Sequence, residues 1–307
     1  MIYSPVNHSQ LISNVDRLVR DVLFGTISFQ QIKSRLNEFY YSFMISFDPE
    51  FKYLKPIQAF IESTNIIVGD AYPYNVFWDN EKTVQFIRLL SGYEKVIKKD
   101  YSAWRYQSNQ NGKNLELNIR TLISDHSRLL FVRVDLKYIQ EISHHITIRD
   151  FDFHMKKLRE AIHNGDTCFT HLLSHAWSLE HGGKNGGFHC HLLLIFDGAK
   201  HYKDSYLADQ VGQKWRDITE GIGYCFILNT KKHKEGLARR GILGIGMIHR
   251  DNLQEVENAV NAALYLTRPD KPDGSYQRLK VSLPNMNTFG QSMPSSSVRG
   301  VFNKATA

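Results

Sequence analysis

Apolar residues recur at helical spacing through the first third of the chain. Leu11, Val15, Leu18, Val19 and Val22 form one stripe, and Ile32, Leu36, Phe39, Tyr40 and Phe43 form a second. Residues 51–61 and 84–97 read as further helices, separated by the turn-rich stretch 69–75. The polar run 107–114 breaks the pattern and marks a boundary region. From Arg128 the period changes. Strands are expected at 129–136, 170–180, 187–196, 224–228 and 242–248, and helices at 150–163, 204–219 and 253–266. The helix 204–219 is amphipathic through Leu207, Val211, Trp215 and Ile218. This order of elements predicts an α+β fold with a mostly antiparallel sheet. The expected division is a mainly helical accessory domain at 1–125, an α+β domain at 126–283 and a flexible tail at 284–307.

The strands 170–180 and 187–196 are joined by a Gly-rich stretch suited to a hairpin. Side chains alternate along a strand, so His189 and His191 share a face and Cys190 takes the other. Two imidazoles about 7 Å apart along a strand can converge on one ion. Pairing across the hairpin brings Glu180 near His189, and two His with one carboxylate leave positions open on a divalent cation. His181 is the rival third ligand, because the pairing register decides which of the two faces the histidines.

Composition adds a partner. The 307 residues carry a formal charge of +7, which favours a polyanion, most simply nucleic acid. No apolar run approaches the roughly 20 residues that span a bilayer, and no leader pattern is present. Cys168, Cys190 and Cys225 lie in apolar runs without zinc-site spacing and read as buried thiols. A cytoplasmic location is expected.

The last helix, 253–266, has an apolar stripe of Leu253, Val256, Val260, Ala263 and Leu264. Tyr265 falls on the polar side with Gln254, Asn258 and Asn261. A phenol is a weak nucleophile at neutral pH, but a nearby cation activates it and a metal polarises the phosphate under attack. Arg268 and Lys271 are candidate sources of charge for the anionic transition state. A metal site plus a helix-borne tyrosine suits cleavage of a phosphodiester through a phosphotyrosyl intermediate.

These residues resemble the HUH endonucleases: His189 and His191 in an apolar strand, Glu180 upstream, and Tyr265 with Leu266, Thr267 and Arg268 downstream. Within that superfamily, residues 126–272 look most like the replication initiators of filamentous phages and prophages. The resemblance implies an antiparallel sheet flanked by helices, with His189, His191 and Glu180 as ligands of Mg2+ or Mn2+. It implies Tyr265 as the single nucleophile, leaving a 5′-phosphotyrosyl link and a free 3′-OH. The relatives often carry Lys three residues after the Tyr, where this chain has Arg268. The function implied is a site-specific single-stranded DNA nickase and strand transferase that initiates rolling-circle replication of a phage, prophage or plasmid. The alternatives are a non-catalytic DNA-binding regulator on the same fold, or a relaxase or transposase with the same chemistry. The partners implied are single-stranded or cruciform origin DNA with a host helicase and polymerase, since no GxxxxGK[ST] loop is present.

Other residues have two readings. Lys231, Lys232, Lys234, Arg239 and Arg240 lie between two expected strands, as a DNA grip or as a basic solvated hairpin tip. Trp177 and Phe188 serve base stacking or core packing. Asp135 serves the site or a turn. His171 and His175 have a helical ligand spacing in a stretch expected to be strand, which sets them aside.

Overall fold

The computed structural model describes residues 8–181, 187–269 and 278–292. The chain begins with α1 (His8–Leu23), α2 (Phe29–Ser46), β1 (Lys52–Tyr53), α3 (Lys55–Val68), α4 (Asn80–Ser91) and α5 (Glu94–Asp125). It continues with β2 (Arg128–Tyr138), α6 (Ile148–Asn164), β3 (Leu172–His181), β4 (Phe188–Asp197), α7 (Asp204–Ile218) and β5 (Gly223–Ile227). The last elements are α8 (Lys231–Arg239), β6 (Gly246–His249), α9 (Leu253–Leu264), β7 (Val281–Ser282) and β8 (Phe289–Gln291). This is an α+β protein with a mainly helical N-terminal part, and its principal sheet is antiparallel with six strands. The sheet order is β5-β2-β4-β3-β8, with β6 also paired to β2.

Local signals explain the helix starts. Ser28 and Gln31 form a capping box at α2, and Thr147 and Asp150 form another at α6, each satisfying amides the first helical turn leaves open. Gly165 ends α6 with φ 67°, a left-handed conformation that costs glycine least.

The polar run 107–114 does not break the helix as expected: α5 runs through it for 32 residues. Gln107 bonds Asn111 at 3.0 Å along the exposed side. Downstream, Leu115, Ile119, Leu122 and Ile123 anchor α5 on the sheet. Gly112 is a point of close approach, since a Cβ there would lie 3.0 Å from Thr267 Oγ1. The basic stretch after β5 is also a helix, α8, with the Thr230 side chain accepting from the His233 amide, and not a hairpin tip. The strand expected at 242–248 forms as Gly246–His249, and Gly244 before it passes the backbone of Asn258 in α9 too closely to leave room for any Cβ.

The tail expected from 284 onward is structured through its described part. β8 pairs with β3 through Ala176↔Gln291, Trp177↔Gly290 and Ser178↔Phe289. A Cβ on Gly290 would stand 2.5 Å from the Trp177 indole, so glycine lets this strand close the sheet edge. Residues 293–307 lie outside the described residues. β7 pairs with β1, and one hydrophobic core joins Leu36, Phe43 and Phe60 to Val132, Leu192 and Leu194. Packing is therefore continuous across residue 125.

The sheet has two different faces. Leu130, Val132, Val134, Leu179, Cys190, Leu192 and Phe196 point into the large core, with Trp177 and Phe188 buried among them as packing residues. Leu129, Phe131, Ala176, Leu193 and Ile195 point to the other side, under α5 and α9. Cys225, beside α7, packs on the large core. Burial pushes its thiol up to about 12 and raises Cys168 as well. Thiols held above the working pH are poor nucleophiles. Iodoacetamide at pH 8 is therefore expected to label neither in the native protein and both in urea. Rapid native labelling followed by mass spectrometry would contradict this packing.

Candidate metal centre and nucleophile

Antiparallel partners point to the same side of a sheet. The register His191↔Asp135, His191↔Ser178 and His189↔Glu180 therefore puts these side chains on the face shared with α5 and α9. Glu180 Oε2 stands 3.2 Å from His189 Nε2, and Oε1 stands 3.0 Å from His191 Nε2. All three residues are buried, with one ligand atom from each within 4.8 Å of the others. His181 turns to the opposite face, where its Nε2 donates to the Ser9 carbonyl at 2.7 Å and its ring meets Phe188. Register thus favours Glu180 as the third group, and His181 ties the hairpin to α1.

The ring nitrogens of His191 have separate tasks. Its Nδ1 faces Asp135 Oδ1, so in the neutral ring with Nδ1–H donating there, Nε2 carries the lone pair and faces Glu180. A lone pair aimed at a carboxylate oxygen is unfavourable unless a proton or a cation lies between them. Burial works against the charge on Glu180, but His189 and His191 outweigh it and hold the carboxyl well below its usual range. Asp135 is lowered in the same way by His191 and Arg133 against its burial. The two carboxylates in turn raise the His191 imidazole against its burial, so the cluster favours positive charge at the place where a divalent ion would bind. Each Glu180 oxygen faces one imidazole nitrogen, and one ligand atom from each residue lies within 4.8 Å of the others, a spacing that one ion can bridge. Two imidazole nitrogens and one carboxylate form a borderline donor set that could hold a divalent ion.

The nucleophile candidate adjoins these groups. Val256, Ala259, Val260 and Ala263 seat α9 on the sheet, while Leu253, expected in the stripe, is exposed. The chain then tightens into a 3-10 turn over Tyr265–Thr267, with Leu266 and Thr267 buried and Thr267 Oγ1 donating to the Leu264 carbonyl at 3.0 Å. Tyr265 turns inward. Its ring centroid is 5.5 Å from that of His191, and the Arg133 guanidinium lies 4.3 Å over it.

Comparison with family models, curated proteins and solved structures finds no match.

Arg133 was not singled out by the sequence pattern, and alternation in β2 was the signal that could have found it. It sits two residues before Asp135 on the same face of a strand expected to be buried. Burial depresses its guanidinium, opposed by Asp135, Tyr265 and Glu180. Asn229 was missed as well. Its side chain accepts from the Arg133 amide at 2.7 Å and donates to the Phe131 carbonyl at 2.9 Å, standing in for a strand where β5 has ended and β6 has not begun. Asn229 also donates to Asp204, which takes the Lys234 ammonium at 2.6 Å. Lys234 is therefore an anchor for α8, not a free basic group. Lys231, Lys232, Arg239 and Arg240 are exposed along the same helix. Arg268 is exposed at a groove of about 380 Å³, also lined by Arg133, Leu228, His233, Asn261 and Tyr265. Lys271 lies outside the described residues.

Proposed function

We propose that this protein is a divalent-metal-dependent endonuclease and strand transferase acting on single-stranded DNA, of the HUH type with one tyrosine, that initiates rolling-circle replication. The observation that carries the reading is the placement of the Tyr265 ring against His191 and under Arg133, beside the Glu180, His189 and His191 cluster. A tyrosine serving only as packing has no need of a buried guanidinium and a buried ligand set on its two sides.

In this reading Tyr265 Oη attacks the scissile phosphorus and the bond to the 3′ oxygen breaks. The phenolic proton is lost to solvent, and the departing oxygen takes a proton to become a 3′-OH. The DNA 5′ end stays esterified to the tyrosine, and attack by a 3′-OH reverses the step. Glu180, His189 and His191 would hold Mg2+ or Mn2+, which when bound supplies polarisation of the phosphate. Asp135 keeps His191 in the tautomer whose Nε2 can bind, and Arg133 places fixed positive charge where negative charge grows. The exposed residues Lys231, Lys232, Arg239, Arg240 and Arg268 provide phosphate contacts along the approach.

The test is wild-type protein with Mn2+ and single-stranded DNA tiled across its own replicon. A covalent protein–DNA adduct that survives denaturation, with one nick position, is expected. Binding without any adduct in Mn2+ or Mg2+ would instead favour a non-catalytic regulator.

A further inference from the structure

β5 carries two large aromatic side chains that no helix covers. Tyr224 is 49% and Phe226 is 43% exposed, and they alternate with the inward-facing Cys225. The pairs Asp135↔Phe226 and Lys137↔Tyr224 put both rings on the face that carries His191 and Glu180. Phe226, Asp135 and His191 stand in one row across three strands. Two strand spacings separate the first from the last, about 10 Å. Leu228, just beyond the strand, lines the groove below Tyr265. The two rings thus lie on the edge strand of the sheet face that also carries the candidate ligands.

The apolar cluster that seats α5 and α9 on this face includes neither ring. Edge strands more commonly carry charges or proline, which discourage unwanted pairing. The surroundings are basic: Lys137 is half exposed beside Tyr224, and Lys231 and Lys232 are exposed at the start of the helix that follows β5. Asp135, beside Phe226, is turned to His191; flat, partly exposed rings with an ammonium group beside one of them suit a chain of unpaired bases on a phosphate backbone. Trp177 and Phe188, the aromatics first considered for stacking, are buried on the opposite face.

We infer that Tyr224 and Phe226 are a stacking platform for unpaired bases of single-stranded DNA next to the scissile phosphate, with Lys137 on the backbone. This rests on the proposed function for the identity of the strand. The probe is fluorescein-labelled oligothymidylate with a chelator present, since stacking is tolerant of sequence. Tyr224→Ala and Phe226→Ala are each expected to weaken binding roughly 5- to 100-fold, while Phe226→Trp keeps it. Melting temperatures should fall by no more than a few degrees, because about half of each side chain is exposed. Lys137→Ala should reduce the salt dependence of binding by about one phosphate contact. Wild-type affinity in the double alanine variant, or no oligothymidylate binding by wild type, overturns the platform. Adduct formation alongside unimpaired binding in that variant would leave the nicking reading standing alone. Platform-dependent binding without any adduct would support the platform and sink the nicking.

Discussion

Tyr265→Phe is expected to abolish covalent adduct formation and lower nicking by at least about a thousandfold, the scale on which losing a nucleophile acts. The substitution removes one oxygen and keeps the ring. The edge contact with His191 and the place beneath Arg133 are preserved. The stability cost is limited to the contacts of one phenolic oxygen, about 1 kcal/mol. Binding to single-stranded DNA should hold within a few-fold, so a gel that resolves adduct, nicked product and bound complex separates chemistry from affinity. Continued nicking with a covalent link in the phenylalanine variant would assign the nucleophile elsewhere among the chain's tyrosines. Arg133→Lys tests the neighbour. It keeps charge but loses the planar guanidinium over the ring, so the rate should fall while binding changes little.

The candidate site was legible in the sequence to the extent that its residues are neighbours in one hairpin and one helix. His189 and His191 needed only strand alternation, and Glu180 needed only the hairpin. The choice between Glu180 and His181 needed the register, which the pairing Glu180↔His189 supplies. Arg133 was hidden because its strand looked apolar throughout, and a charge inside such a run signals a site only when the facing strand is known. Asn229 was hidden because its task is to complete a gap between β5 and β6, which no local pattern encodes. The helices with clear apolar stripes, such as α2 and α7, were legible. Those that depend on tertiary support were not. The polar middle of α5 is helical because Leu115 to Ile123 dock on the sheet, and α8 is held by Lys234 on Asp204. The strand β8 was obscured by the Asn-, Ser- and Pro-rich stretches on either side of it, although Gly290 is what allows it to lie over Trp177.

The second large effect belongs to the buried acid and its histidines. Adding saturating Mn2+ to metal-free wild type should raise its melting temperature by several degrees, since a ligand at about 100 times its Kd adds about 2.7 kcal/mol. Glu180→Gln should cancel that rise and reduce adduct formation at least about a hundredfold. It keeps the shape of the side chain but removes the charge that His189 and His191 face. His189→Ala should do the same to the metal response. A chelator should stop nicking by wild type, and added Mn2+ should restore it, while oligonucleotide binding continues throughout. His181→Ala makes the contrast. That ring bonds Ser9 on the opposite face, so its loss should lower the melting temperature through the α1 contact and leave the Mn2+ response intact. If Mn2+ shifts Glu180→Gln as far as wild type, the ion binds elsewhere. If His181→Ala alone loses the shift, the register reading of the ligand set is wrong. The two substitutions sit at adjacent positions on opposite faces of one strand, so general damage to the hairpin predicts the same outcome for both and a metal centre predicts opposite ones.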